Sequence, residues 1–419
     1  MTAPVNEIGY AHTGQSWWSV DEEPTPELRW PESVAVYDAM RTQDSQVGSV
    51  LRAVTYPLRR TPWRIAPAGA SAEVTEFIAD NLGLPIAGQD PKPLSRTRDR
   101  FSWPEHLRLA LLMLPFGHMF FEQVYRIDGE GRARLRKLAP RMPRTIEKVD
   151  VASDGGLISI TQYSAKTGDR ARSIPVDRLV AYVLEQEGGN WLGRSVLRGC
   201  YKNWLIKDRL LRVQAQTIER NGMGVPLYTG AENETDLSKG AQMAQAWRAG
   251  QTAGSAVPYG AKMELVGVTG SLPDADKPIR YHDEQIARAV LAHFLNLGTQ
   301  TGSWALGTTF ADFFTLSLQT LAEQIADVAT QHIVEDLVDV NFGESEPAPR
   351  VTFDEIGSRQ AATAEALRIL TEAGIILPDR SLEGHVRQTY GLPPKDPRPA
   401  RVASPDAVEG GDPGGGQAQ

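Results

Sequence analysis

Apolar residues recur every three or four positions over long stretches of the chain, which is the spacing of an amphipathic helix. The predicted helices cover residues 33–57, 70–82, 104–115, 193–222, 283–297 and 308–341. Pro57 and Gly83 are expected to end the first two, because proline lacks an N–H donor and glycine favours the left-handed C-terminal turn. The last helix would be roughly 50 Å long at 1.5 Å per residue. A helix of that length needs an elongated support, such as a neighbouring molecule in an assembly.

A different pattern fills residues 119–185, where apolar residues stand in short runs between glycine-containing turns. The turns at 128–129, 154–156 and 167–169 are hairpin signals, so the segment predicts an antiparallel β meander. Further strands are expected at 63–65, 225–229, 256–259 and 262–268, and a short helix at 237–249. The mixture of helices and antiparallel strands indicates the α+β class.

Composition narrows the class of protein. The chain has 419 residues, 41% of them hydrophobic, and a net charge of −8. It can therefore bury a large core, and it is unlike the basic proteins that coat nucleic acid. Its single cysteine, Cys200, permits no disulfide within the chain and no cysteine-rich zinc site. The first residues contain neither a basic nor an apolar segment, so no signal peptide is expected. The most apolar stretch, 107–121, contains charged Arg108 and is too short to span a bilayer.

Two groups of basic residues stand out against this acidic background. One lies in the predicted meander and consists of Arg132, Arg134, Arg136, Lys137, Arg141 and Arg144. It is typical of the solvated face of a sheet, with contact to a polyanion as the alternative. The other lies in the helix predicted at 193–222, where five basic residues recur near one face: Arg194, Arg198, Lys202, Arg209 and Arg212. Their spacing leaves open whether this face is solvated, packs against a neighbouring subunit or faces DNA.

No arrangement of residues indicates an active site, a metal site or a cofactor. The seven histidines are scattered, without the HxH or HExxH spacing of metal ligands. Residues 302–309 resemble a phosphate-binding loop, but Thr308 stands where that loop needs lysine, and a helix precedes it instead of a strand. Residues 193–197 miss the last glycine of a GxSxG nucleophile elbow. The carboxylates at 21–23 are expected to be solvated, and Cys200 to be a small buried residue.

A family resemblance is carried by seven short runs taken in order. They are YDAM (37–40), LRRTPWRI (58–65), FGHMFFE (116–122), GRSVL (193–197), WLIKD (204–208), ERNGMGVP (219–226) and GSWALG (302–307). With the order of the predicted elements, they resemble the portal proteins of tailed bacteriophages over residues 33–392, in particular siphophage portals of actinobacteriophages. These proteins form the ring at the head-to-tail vertex.

The resemblance implies a portal-protein fold with named parts. They would be an irregular N-terminal arm (1–32), a wing of helices and β meander (33–192), a first stem helix (193–222), a small α/β clip (223–270), a second stem helix (271–297), a tunnel loop (298–307), a long helix from wing to crown (308–342), a helical crown (343–392) and a disordered tail (393–419). The basic stem residues would face either the channel or the next subunit.

The resemblance also implies a function without catalysis. About twelve copies would form a ring through which double-stranded DNA passes during packaging and ejection, without sequence specificity. The tunnel-loop residues would be Gly298, Thr299, Gln300, Thr301, Gly302, Ser303 and Trp304. The clip would dock its partners through Tyr228, Trp247, Arg248 and Tyr259.

The partners implied are the large terminase, the head–tail adaptor, the major capsid protein and the scaffold, with no membrane. Assembly would take place in the host cytoplasm, and the final location would be the virion. A different virion component, such as a head-completion or minor head protein, is the second hypothesis, and a soluble enzyme is the third.

Overall fold

The computed structural model of the chain describes residues 23–89, 101–164, 171–223, 225–247, 256–266, 274–290 and 304–357, together with Gly9 and Gly254. Side chains are described for all of these except 220–223 and 304–311. The chain divides into two compact units, Met1–Ile356 and Gly357–Gln419. The predicted tail and most of the predicted crown lie outside the described residues.

Two helices form where the sequence predicts one. α1 (Glu32–Gln43) and α2 (Ser45–Arg60) meet at Asp44, whose carboxylate accepts two backbone N–H groups of the following turn and caps α2. The prediction that Pro57 ends the helix is wrong, because α2 continues to Arg60. Only one turn follows Pro57, and the Pro57 carbonyl closes that turn by accepting the N–H of Thr61 at 3.0 Å.

The next elements follow the prediction closely. β1 (Trp63–Ala66) is the expected short strand, and α3 (Ala72–Leu82) ends at Gly83, whose φ of +64° is the left-handed conformation expected there. The third predicted helix is divided into α4 (Trp103–Ala110) and α5 (Met113–Phe116).

Two three-stranded antiparallel sheets follow α5. Their strands are β2 (His118–Ile127), β3 (Ala133–Arg141), β4 (Ile146–Val151), β5 (Leu157–Gln162), β6 (Arg172–Pro175) and β7 (Leu179–Val183). The hairpins predicted at 128–129 and 154–156 join β2 to β3 and β4 to β5, whereas the one predicted at 167–169 falls outside the described residues. The antiparallel prediction is confirmed. However, β7 returns to pair with β2, so the sheet orders are β3-β2-β7 and β4-β5-β6.

The helix predicted from residue 193 begins later, as α6 (Tyr201–Met223). The hydroxyl of Ser195 donates to the carbonyl of Pro115 at 2.7 Å and accepts a backbone N–H two residues on, which holds this segment in a loop. Arg194 therefore lies outside the helix, whereas Arg198 begins a short 3₁₀ turn, Arg198–Cys200, that leads directly into α6.

A small sheet with one helix follows α6. β8 (Val225–Thr229) pairs antiparallel with β9 (Lys262–Val266), and α7 (Ser238–Gln245) packs on β8. These three elements confirm the prediction, but the strand predicted at 256–259 is wrong. The residues before β9 form a turn around Gly260, whose φ is +86°.

The long C-terminal helix is present and begins earlier than predicted. After α8 (Asp276–Ala289), α9 runs over Trp304–Ala329, a π-helical turn covers Thr330–Val334, and α10 spans Glu335–Phe342. Residues 304–307, predicted as part of a tunnel loop, are instead the first turn of α9. One interior glycine costs a helix only about 1 kcal/mol relative to alanine, so Gly307 does not interrupt it.

A strand that the sequence did not reveal, β10 (Arg350–Phe353), pairs antiparallel with β1. Just beyond it, Asp354 forms a bidentate ion pair with Arg64 of β1, at 2.8 and 3.0 Å. The first residues of the region assigned to the crown are therefore part of the larger unit.

The main core lies among α2–α5, the sheet containing β2, the β1–β10 pair and one face of α9–α10. A second cluster packs under α1 and includes Leu28, only 5% exposed, so the end of the predicted N-terminal arm is packed. A third cluster fills the β4–β6 sheet. Cys200 is buried in the second cluster, as predicted, and burial raises the pKa of its thiol to about 12.

Two histidines are enclosed in this interior. Burial lowers the pKa of His106, whose ring lies 2.8 Å from the hydroxyl of Tyr182, to about 3. Burial also lowers the pKa of His118 to about 4, although its hydrogen bond with the carbonyl of Leu192 partly opposes the shift. Both rings are thus neutral in the folded chain at physiological pH.

We expect this burial to make the chain sensitive to acid. Below about pH 6.5, His106 becomes protonated in the unfolded chain but stays neutral in the folded chain. The free energy of unfolding therefore declines as the pH falls towards about 3. Between pH 6.5 and 4.5 this one group should remove about 2–3 kcal/mol. In urea unfolding, His106→Gln should give a correspondingly flatter stability–pH curve, even if its stability at pH 7 is lower. Parallel curves for the two proteins would contradict the assignment.

Candidate assembly and channel surfaces

α6 and α8 pack against each other, and a buried cation joins them to the start of α2. Lys207 of α6 is 7% exposed in its side chain, and its Nζ lies 2.9 Å from a carboxylate oxygen of Asp44 and 2.6 Å from one of Asp283. Burial alone would lower the pKa of Lys207, but hydrogen bonds and Coulombic attraction from the two aspartates outweigh burial and raise it. Three helices therefore meet at one ion cluster.

The basic residues of α6 predicted to share a face do so on the side away from this cluster. At 100° per residue, Lys202, Arg209 and Arg212 all lie within about 40° of the line opposite Lys207. All three are exposed, and Arg212 forms a surface pair with Asp208 at 2.8 Å. α6 thus presents a basic outer face.

The other two predicted members of this face have separate surroundings. Arg198 makes two hydrogen bonds with the carboxylate of Glu23, at 2.6 and 2.8 Å. The expectation that Glu23 is solvated is therefore wrong, because this pair holds it against the start of α6. Arg194 is largely exposed, with Glu187 at 4.0 Å. Residues 21 and 22 lie outside the described part of the chain.

Large apolar side chains are exposed around α6. They are Leu205, Ile206, Leu211, Val213 and Ile218, between 36% and 64% exposed. On α9, Phe313 and Leu316 are 62% and 58% exposed. A helix with apolar residues around much of its circumference is normally buried. These residues therefore form an exposed apolar surface on α6 and α9, and the charge pattern alone did not reveal it.

The β8–β9 pair and the connection between its strands contain the predicted docking residues, which have different surroundings. Tyr228 is half-buried beneath α7, and its hydroxyl donates to the carboxylate of Glu234. Trp247 is partly exposed, Tyr259 is fully exposed at the turn before β9, and Arg248 falls outside the described residues. Tyr259 is therefore the most accessible of the three described candidates.

We expect Gly240 to be required for the packing of α7 on β8. A Cβ atom added to Gly240 would overlap the ring of Tyr228, so Gly240→Ala should force the helix off the strand. Hydrogen exchange should then rise in β8 and α7 while the main core stays protected. Gly254→Ala is the control, because nothing lies within 4 Å of its added Cβ. Equal protection in the two variants would contradict this packing.

Comparison with known proteins identifies the family to which this chain belongs. The family model described as the portal protein of Mu bacteriophage matches residues 34–392, most of the chain. The chain belongs to the portal-protein family. Its role is therefore that of a structural portal protein, as the resemblance in sequence implied.

Two solved structures share the fold with this portal chain. A chain in the neck of an empty GTA particle, computed with C6 symmetry, is 12% identical, with 87% of this chain and 94% of that one covered and a TM-score of 0.57. A chain from the virion of a native gene transfer agent particle is 13% identical, with coverage of 87% and 95% and a TM-score of 0.53. The predicted α+β portal fold is confirmed.

The basic residues of the portal's β2–β3 hairpin region are largely engaged within the chain. Arg132 pairs with Glu73, Arg134 with Asp128 and Asp80, and Arg141 with Glu122. Within the predicted group, Arg136, Lys137 and Arg144 are exposed, and the other three are partly buried. This favours the solvated sheet face over the polyanion contact.

Six of the seven predicted tunnel-loop residues, 298–303, lie outside the described residues, and the seventh, Trp304, begins α9. Within the described ranges, no group of three or more potential metal ligands occurs. The same ranges contain no helix with both the length and the apolar character needed to cross a membrane.

Proposed function

We propose that about twelve copies of this portal chain form a ring at the unique capsid vertex, and that double-stranded DNA passes through its centre during packaging and ejection. Family membership supports the portal role, and the exposed apolar residues of α6 and α9 support lateral contact between copies. The related neck of a native GTA particle was computed with C12 symmetry, which agrees with a ring of this size. The portal would be a passive conduit, with work supplied by a separate motor.

The parts of the ring follow the element order. In this proposal α6 and α8 are the stem, residues 33–192 the wing and residues 223–270 the clip. Of the region 343–392 assigned to the crown, residues 343–356 join the wing, since β10 pairs with β1, and the crown is the remainder. The tunnel loop is shortened to 298–303, since α9 already begins at Trp304.

The clip would dock the large terminase and later the head–tail adaptor, with exposed Tyr259 as the first candidate contact. The major capsid protein and scaffold would contact the ring as it assembles in the host cytoplasm, and the product would reside in the virion. We further propose, from the short sequence runs, that the chain resembles siphophage portals of actinobacteriophages.

Ring formation can be tested by negative-stain microscopy and native mass spectrometry of the purified chain. We expect rings with a central hole and a mass of about twelve copies. Ile206→Asp with Val213→Asp should abolish rings while leaving the circular dichroism and melting of the chain unchanged, because both side chains are exposed. Gln216→Asp, on the same helix, is the control for added charge. A stable small oligomer without a hole would contradict the proposal.

The basic face of α6 can be assigned by neutralising it. If Lys202, Arg209 and Arg212 contact the neighbouring subunit, their replacement by glutamine should weaken the ring and reduce its sensitivity to salt. If they face the channel, the ring should persist and the passage or retention of DNA should change.

The tunnel-loop assignment can be tested by shortening residues 298–303. We expect rings to stay intact and packaging to be impaired, and normal packaging would contradict the assignment.

A further inference from the structure

An apolar groove runs beside α9 within the larger unit. Its volume is about 780 Å³, and its walls come from α2, the end of β7 and the loop after it, the end of α8 and one face of α9. Its apolar lining includes Leu51, Val54, Val196, Val290 and Leu318. A cavity of this size with such walls lies in the range of pockets that bind a ligand or a side-chain cluster.

Polar side chains also line this groove: Glu185, Gln186, Ser317, Thr320, Gln324, Gln331 and His332. Gln186, Gln324 and Gln331 contribute amides to its wall, and Gln324 is fixed by donating to the carbonyl of Val183 at 2.7 Å. An amide oxygen in an apolar setting is a suitable acceptor for an indole N–H, because tryptophan buries a large ring while its single donor still needs a partner. The lining thus suits tryptophan better than a purely aliphatic segment.

The chain itself supplies two adjacent tryptophans close in sequence to Glu23. Trp17 and Trp18 precede Glu23 by six and five residues, and Glu23 is held by Arg198 at 2.6 Å. Arg198 follows the groove residue Val196 by two positions. Five or six residues extend at most about 20 Å, so the tryptophan pair must lie within that distance of Glu23. The groove wall at Val196 is therefore an apolar surface in the neighbourhood of Glu23.

We propose that the N-terminal segment 1–22 folds back onto its own chain and places Trp17 and Trp18 in this groove. The reach from Glu23 favours the same chain as the source. The segment carries Glu7, Asp21 and Glu22 but no lysine or arginine, and its carboxylates would stay outside the groove, near the basic start of α6. Docking would cover apolar surface of α9 and fix the junction between α8 and α9. This inference does not depend on the ring proposal, because it concerns contacts within one chain.

Cross-linking tests the docking directly, because the one native thiol, Cys200, is buried. Ser19→Cys is combined with Ser317→Cys on the groove face of α9, and the pair is joined by a short bismaleimide that alkylates both thiols. The control combines Ser19→Cys with Glu323→Cys, which lies on the same helix but outside the groove lining. Labelling with a monomaleimide corrects for differences in the reactivity of the two helix positions.

We expect a cross-link within one chain at position 317, with a yield about tenfold or more above that at 323, because docking raises the effective concentration of the two thiols. Replacing Trp17 and Trp18 by serine in the same background should reduce the yield to that of the control. Equal yields at 317 and 323, or a yield insensitive to the tryptophans, would overturn the proposal. A product of twice the chain mass would also overturn it, since the groove would then hold the segment of a second copy.

Discussion

Replacing Gly193 by alanine should destabilise the portal chain by about 2–5 kcal/mol, since positive φ costs an L-residue about 1–2 kcal/mol and overpacking adds about 1–3 kcal/mol. Gly193 has a φ of +62°, and an added Cβ would lie 2.5 Å from the carbonyl oxygens of both Gly117 and Leu184. The Gly117 oxygen already accepts the N–H of Leu184 at 2.8 Å, so it cannot move away freely. Urea unfolding followed by circular dichroism measures the effect.

Gly83→Ala is a matched control for this substitution. Its φ of +64° is nearly the same as that of Gly193, but nothing lies within 4 Å of the added Cβ. The strain of the left-handed backbone should lower the free energy of unfolding of this variant by only about 1–2 kcal/mol. The difference between the two variants isolates the overlap with the carbonyl groups. A Gly193→Ala loss no larger than that of Gly83→Ala would show that the crossing segments are not tightly packed.

This crossing explains two of the sequence runs that carried the family resemblance. FGHMFFE contains Gly117 and GRSVL contains Gly193, and the two glycines meet where their backbones pass each other. The sequence alone did not indicate this contact, because a close approach between segments some 75 residues apart depends on the fold. The same contact places Ser195 against the carbonyl of Pro115 and delays the start of α6.

Elements governed by local signals were predictable, and those governed by distant contacts were not. The left-handed stop at Gly83 and the hairpin before β5 follow from a few adjacent residues. The pairing of β1 with β10 joins strands nearly 290 residues apart, and residues 350–353 carry too few positions to show a period. The break at Asp44 was hidden because the apolar spacing continues across it.

The candidate surfaces show the same division. A basic outer face for Lys202, Arg209 and Arg212 follows from helical spacing, which holds once α6 has formed. Lys207 lies on the same helix outside that basic face, and its side chain points the other way, into two carboxylates. Helical spacing identifies which residues share a face. It does not identify which face meets acidic residues contributed by α2 and α8.

Replacing Lys207 by methionine should destabilise the chain by about 3–5 kcal/mol, because removing one partner of a buried ion cluster leaves the remaining charges uncompensated. Asp44 and Asp283 would then face each other without the cation that lies within 3 Å of both. Asp44 also caps α2, so the repulsion acts where α2 begins as well as between α6 and α8. We therefore expect the orientation of the proposed stem to loosen relative to the proposed wing, with increased hydrogen exchange along α6 and α8.

Two further variants separate the ion cluster from a general effect of lost charge. Arg212→Met removes a cation from the exposed face of the same helix, where the pair with Asp208 is solvated, and it should leave the unfolding midpoint unchanged within error. Adding Asp283→Asn to Lys207→Met removes one of the two opposed carboxylates and should recover part of the lost stability, which a double-mutant cycle would report as coupling. If Lys207→Met unfolds like Arg212→Met, or if Asp283→Asn only adds to its loss, the cluster does not hold the three helices together. In that case, rings assembled from the Lys207→Met chain should match wild-type rings in stem geometry. If Lys207 does join the three helices, the stems of the Lys207→Met rings should be heterogeneous.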